Sequence, residues 1–275
     1  SRQTRLVSPP IIAGAPYVEL LDLPTMPGSP DQFRVAAYAK PWRTQMVYMS
    51  PEEQGFVHSA TVSSPSTMGA LIEPLGAGPS GRVHNGSQIE VALYSGELSS
   101  TSAMQMLNGA NLAAVRADNG VWEVVQFADA EETAPGRWRL SKLLRGQFGT
   151  EDAASVGASA GASFVLLNSA VAKTGLMSEL AGLSLNWKVG PSAHSLADPV
   201  FVGINAAGGM RSRLPLSPVH LRLKHQEDGA TLRWIRRGRV DADSWLTEDI
   251  PLGEEFERYR IEVSPVGGAG VRTVE

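Results

Sequence analysis

Leu112-Ala113-Ala114-Val115-Arg116-Ala117, then Asp118-Asn119-Gly120, then Val121-Trp122-Glu123-Val124-Val125-Gln126-Phe127 is the stretch on which the fold turns. Two apolar runs rich in β-branched and aromatic residues flank an Asn-Gly pair. Asn-Gly accepts the positive φ angles of a tight primed turn, so the sequence predicts a β-hairpin here. Outward from it, residues 88–94, 138–144 and 164–167 read as further short strands, and residues 100–107 read as one short helix. Strands of this length, closely spaced and rarely interrupted by helix, predict an antiparallel β-barrel or sandwich.

Composition sets the same frame. The chain has 275 residues, of which 43% are hydrophobic and 19% charged, with Gly 28 and Pro 18. That is enough apolar material for a core, broken often by turn formers, which favours short strands. At roughly 100 to 200 residues per domain the length predicts more than one domain. Cys 0 excludes disulfides and thiolate metal sites. A formal net charge of -4 provides no overall positive field, which argues against a dedicated nucleic-acid binder. No apolar run approaches the roughly 20 residues of a membrane span, and Ser1-Arg2-Gln3-Thr4-Arg5 lacks the apolar core of a signal peptide. The absence of Met at position 1 and the strand-like ending at residues 271–275 suggest an excised piece of a longer protein.

Upstream, residues 17–23, 33–38 and 45–49 read as strands between Pro and Gly breaks, and Ser50-Pro51-Glu52-Glu53 has the pattern of an N-capped helical turn that stops at Gly55. Gly76-Ala77-Gly78-Pro79-Ser80-Gly81 reads as a linker. The expected organisation is therefore a β-rich segment over 1–75, a β-barrel or sandwich domain over 76–211, and a third domain over 212–275. Residues 184–210, rich in Gly, Ala, Ser and Asn, read as an extended connector closing the second domain. In the third, 219–223 and 231–237 alternate about the turn Glu227-Asp228-Gly229 and open a sandwich, with 257–263 as a third strand. Trp234 on one strand and Tyr259 on another are expected in one core, in the order of a partial fibronectin type III-like domain.

The chemical candidates are weak. Gly157-Ala158-Ser159-Ala160-Gly161 matches the pattern of a hydrolase nucleophile elbow, but that chemistry needs a strand before the serine and a helix after it. Here the strand follows, so a small-residue turn is the better reading. Asp241-Ala242-Asp243 begins like a calcium loop, but the positions that need Gly and Glu hold Leu246 and Leu252. His58, His84, His194, His220 and His225 have no ligand spacing. The acidic pairs Glu131-Glu132 and Glu254-Glu255 read as solvated. Arg233, Arg236, Arg237 and Arg239, flanked by Trp234 and Trp245, could bind single-stranded nucleic acid by charge and stacking. Pairing with Asp241, Asp243, Glu254, Glu255, Glu257 or a neighbouring subunit is preferred, given the acidic net charge. No catalytic residue, metal or cofactor is assigned.

Two stretches carry a family resemblance. Leu140-Ser141-Lys142-Leu143-Leu144-Arg145-Gly146-Gln147-Phe148-Gly149-Thr150-Glu151, followed by Gly161-Ala162-Ser163-Phe164-Val165-Leu166-Leu167, resembles a signature of the tail-tip proteins of gene transfer agents and related tailed phages. Pro215-Leu216-Ser217-Pro218, then Trp234-Ile235-Arg236-Arg237-Gly238-Arg239 through Trp245, then Pro251-Leu252-Gly253-Glu254-Glu255-Phe256-Glu257-Arg258-Tyr259 is similar to that family's C-terminal segment. In that family a long host-specificity or tail protein carries a TIM-barrel-like domain followed by β-rich domains. The resemblance implies a non-catalytic part of the tail tip or baseplate hub, in the tail of a particle assembled in the bacterial cytoplasm. It would partner other hub proteins, be trimeric about the tail axis, and take part in contact with a host receptor or glycan and in DNA delivery. A carbohydrate-binding module or a cell-wall hydrolase domain of a tail protein is the alternative. Within the first motif, Gly146 and Gly149 permit a tight bend that Arg145 can tie to a carboxylate such as Glu151. Leu144, Arg145, Gly146, Gly149, Thr150, Trp234, Arg236, Arg237, Trp245 and Tyr259 are the expected structural and interaction residues.

Overall fold

The computed structural model describes residues 14–26, 33–227, 229–239, 251–263 and 272–274. In chain order, β1 (Tyr17–Asp22), β2 (Phe33–Tyr38), β3 (Gln45–Ser50), β4 (Val57–Val62), β5 (Met68–Leu71) and β6 (Ile89–Leu93) lead to helix α1 (Ala103–Leu107). Next come β7 (Leu112–Arg116), β8 (Trp122–Ala134), β9 (Arg137–Leu144) and helix α2 (Glu151–Val156). After α2 follow β10 (Ser163–Leu166), β11 (Ala172–Lys173), β12 (Leu185–Pro191), β13 (Val202–Ala206), β14 (Val219–Gln226), β15 (Gly229–Ile235), β16 (Ile261–Val263) and β17 (Arg272–Val274). The protein is mainly β, every strand pairing is antiparallel, and the chain forms two compact units, 1–214 and 215–275.

Six strands of the first unit close a barrel in the order β10-β5-β6-β9-β8-β7. Alternation along each strand sends one file inward. Leu71, Ile89, Val91, Ala113, Val115, Val125, Phe127, Trp138, Leu140, Leu143 and Phe164 fill the lumen. The other file of β7, β8 and β10 is also buried: Ala114, Trp122, Val124 and Val165 pack on Leu21, Ala36 and Val171, which flank or belong to the sheet β1-β2-β11. That sheet's opposite face, with Phe33, Val35 and Ala37, packs on Val47, Met49, Leu185, Trp187 and Val189 of the four-stranded sheet β13-β12-β3-β4. Sheet β1-β2-β11 is therefore covered on both sides, which is why Phe-Arg-Val-Ala-Ala-Tyr of β2 is apolar at nearly every position.

The barrel and the alternating strands agree with the sequence reading, and four local expectations are corrected. The β7–β8 hairpin forms, but not with a primed turn. Gly120 N–H donates to the Ala117 carbonyl and only Gly120 has a positive φ, +81°, so residues 118–120 make a three-residue loop with glycine in the left-handed position. Ser50-Pro51-Glu52-Glu53 is a bend, closed by the Ser50 hydroxyl accepting from Glu52 N–H and donating to the Gln54 carbonyl. Residues 184–210 are not a connector. Leu185, Trp187 and Val189 alternate inward along β12, which pairs with both β3 and β13. Finally, the expected boundary near residue 76 lies inside the first unit, between adjacent barrel strands β5 and β6.

Among its described residues the second unit holds two ribbons, β14-β15 and β16-β17. The rings of Trp234 and Tyr259 meet edge to face with centroids 4.8 Å apart, as their pairing in sequence predicts. No sandwich core surrounds them: none of the described residues of this unit is buried, and the strand expected over 257–263 begins only at Ile261.

Candidate functional site

The best-defined polar constellation is the bend after β9. Glu123 shares the inward file of β8 with Val125 and Phe127, and Arg145 follows Leu143 at the end of β9, so the two meet at one end of the lumen. Arg145 is 0% exposed. Its Nε donates to Glu123 Oε1 at 2.5 Å and its Nη2 to Oε2 at 2.8 Å, a bidentate fork between residues both removed from water. Glu123, not Glu151, is therefore the carboxylate that ties the bend. Glu123 Oε1 also accepts the Gly146 N–H at 3.0 Å, and Arg145 Nη1 reaches the Gly76 carbonyl at 3.1 Å.

That last bond explains what the Gly-Pro stretch 76–81 is for. It is a strap across the barrel end, held by Gly78 N–H to the Ala154 carbonyl and by bridges Ser80 to Arg145 and His84 to Leu143. A side chain at Gly78 would put its Cβ 2.6 Å from Arg145 Nη1, so the strap can lie this close only with glycine there. Gly146 has φ +61°, and a Cβ on it would sit 3.1 to 3.3 Å from Ser80, Glu151 and Ala154. Gly149 and Phe148 are also left-handed. Thr150 completes the bend: its buried hydroxyl accepts Val124 N–H at 3.0 Å and donates to the Gln147 carbonyl at 2.8 Å. Leu144 is buried with Met106 and Ala128.

A second network joins the end of β1 and the segment after β13 to this bend. Asp22, at the end of β1, accepts N–H bonds from Gly209, Met210 and Arg211. Burial pushes its carboxyl above the ordinary value of 3.8, with the N–H bonds and Arg211 acting in the opposite sense. Arg211 grips Asp152 of α2 through two bonds of 2.7 and 2.5 Å and also reaches the Gly149 carbonyl. The hydrogen bond from Arg211 holds the Asp152 carboxyl below the ordinary range. Sequence reading missed Glu123, Asp22, Asp152 and Arg211. Glu123 alone left a signal, as the single charge inside the apolar run Trp122 to Val125.

The remaining candidates do not converge. Ser159 opens a turn closed by Ala162 N–H to its carbonyl, and its hydroxyl donates to Asp118 Oδ2 at 2.9 Å. The serine thus has a carboxylate partner, and its immediate polar contacts include no imidazole. His194 pairs instead with Asp198 at 2.8 Å, and His84 with Ser87. Among the described residues no three His, Asp or Glu groups are placed to hold a metal ion, and no helix is long and apolar enough to cross a membrane. In the second unit Arg239 pairs with Glu254 at 2.7 Å, Arg236 lies 3.9 Å from Glu257, and Arg237 donates to the Ser217 carbonyl. These arginines bind carboxylates and backbone of their own unit. Trp245, Asp241 and Asp243 lie outside the described residues.

Against known families, residues 66–165 match a protein-family model described as "Rcc01698-like, C-terminal". The match runs from just before β5 into β10, spanning nearly all of the barrel together with Glu123, the strap and the Arg145 bend. The likeness therefore rests on the barrel and its plugged end. No curated protein matches the chain.

Proposed function

We propose that this chain is a structural, non-catalytic component of the distal tail of a phage-like particle, part of the tail tip or baseplate hub. There it works with other hub proteins, as a homotrimer about the tail axis, in host-cell contact and DNA delivery. One physical observation carries the assembly reading: a unit with no buried residue among those described leaves Leu221 62%, Leu223 58%, Ile235 53% and Phe256 61% exposed. A ribbon pair of this kind is too small to be stable alone and gains cover from other protein surface. The buried guanidinium and carboxylate of the first unit support the same reading, since both are used up in fixing the strap and bend. The tail assignment itself draws on the resemblance of the two motifs and on the family match, which covers the first of them as far as Val165.

Electron cryomicroscopy of intact particles from the producing cell is the test. Density for the six-stranded barrel at the distal end of the tail, repeated three times about its axis, is expected. Particles that lack the chain at the tip, or carry it in the capsid, would overturn the assignment.

A further inference from the structure

Where strand β1 runs beside the barrel wall, three tyrosines collect, two on strands and one just past a strand. Tyr17 of β1 faces Tyr38 of β2 across the ladder, and Tyr94 follows β6. The rings are within 25 to 29° of parallel, with centroids 4.6 Å apart for Tyr17 and Tyr94 and 6.2 and 6.4 Å for the other pairs. They form one offset-stacked shelf. Although stacked on a neighbour, Tyr17 is 57% exposed and Tyr94 39%, so ring surface remains open to solvent.

The shelf continues into polar ground. Glu19, two residues after Tyr17 and on the same face of β1, accepts from the Ser163 hydroxyl and lies 3.6 Å from the Arg116 guanidinium. Its charge also reaches Tyr94, whose hydroxyl is held above its usual range first by burial and then by Tyr17 and Glu19. Ser163 and Arg116 in turn line an open depression of about 330 Å³ with Asp118, Gly120, Ser159 and Gly161. Beside Ser163, the outward positions of the neighbouring strands are Ala70 and Ala92, which give the barrel wall a low floor.

We infer that this shelf and depression bind a neutral oligosaccharide, one sugar stacking its C–H face on Tyr17 and Tyr94 and the next hydroxyls meeting Glu19, Arg116, Asp118 and Ser159. A pyranose offers that combination: a flat apolar face edged by donors and acceptors. Two carboxylates against one guanidinium disfavour acidic sugars and nucleic-acid phosphates. A floor of alanine and serine offers little to a lipid chain, and the rings are packed into a single shelf, not the separate ridges that clamp a proline-rich peptide. A saccharide site here does not depend on the tail assignment, because it rests on the groups lining the junction.

The 275-residue chain titrated with chitotetraose, cellotetraose and maltotetraose, followed by saturation-transfer NMR, tests this. At least one of the three should receive saturation, and Tyr17→Ala should weaken its binding by about tenfold or more, as loss of a central aromatic contact does, while Tyr17→Phe weakens it less. As a check needing no variant, the bound sugar should slow nitration of Tyr17 and Tyr94 by tetranitromethane, read by peptide mass spectrometry. Absence of saturation for all three sugars at millimolar concentration, binding by Tyr17→Ala equal to the parent, nitration unaffected by sugar, or binding of a proline-rich peptide at the tyrosines in their place would each overturn the inference.

Discussion

Replacing Glu123 with Gln tests the account of the barrel end most directly. The substitution keeps the shape and one acceptor oxygen but removes the charge facing Arg145, which is 0% exposed and makes both fork bonds to this one residue. A buried charge left without its counter-ion costs about 3 to 5 kcal/mol, a large share of the 5 to 15 kcal/mol typical of a folded protein. For a unit of this size that corresponds to a fall in Tm of about 6 to 20 °C. Arg145→Met should cost a similar amount, because it strands the carboxylate. The double variant Glu123→Leu/Arg145→Met removes both charges together. What remains lost is a partner for the Gly76 carbonyl and one for the Gly146 N–H, about 1 to 3 kcal/mol each if no water replaces them. The double variant should therefore fall well short of the sum of the Glu123→Leu and Arg145→Met singles, which close the cycle. Urea unfolding of the full chain, monitored by tryptophan fluorescence, supplies the cycle, with Trp122 and Trp138 in the barrel reporting on the first unit. Singles that cost less than about 1 kcal/mol, or that add without coupling, would refute the description of this pair as a desolvated tie.

Three further outcomes are expected. Gly146→Val should destabilise the first unit by about 1 to 3 kcal/mol, because the position is left-handed and its Cβ would press on Ser80, Glu151 and Ala154; an unchanged midpoint in urea would contradict the geometry. Asp22, whose pKa is raised on folding, contributes stability at low pH that is lost as pH rises from 3.8 through the folded value, and Asp152, whose pKa is lowered, contributes stability that is lost as pH falls below 3.8. Measured against pH, the parent's stability relative to Asp22→Asn should decline with rising pH, and relative to Asp152→Asn it should decline with falling pH; the reverse slope in either comparison would defeat the assignment. Residues 212–275 expressed alone should give no cooperative thermal transition, since none of its described residues is buried; a monomeric fragment with a sharp calorimetric peak would show that the second unit needs no cover.

Periodicity made much of the fold legible. The apolar runs in 88–94, 112–127, 138–144 and 164–167 marked five of the six barrel strands, and the alternation of Leu185, Trp187 and Val189 was present but masked by the small polar residues around it. The bend at Gly146 was readable because glycine beside a conformationally demanding turn has a local cause. What periodicity reports is that one side of a strand is buried, not what buries it. Only the tertiary structure decided that β10 returns to pair with β5 and closes the barrel, that sheet β1-β2-β11 is covered on both faces, and that the glycine-rich stretch 76–81 is a strap and not a linker. The same holds for Arg145. Its nearest carboxylate along the chain is Glu151, but the barrel register sets Glu123, 22 residues away, opposite it. Local sequence specifies which groups need partners, and the closure of the sheet decides which of them come within reach.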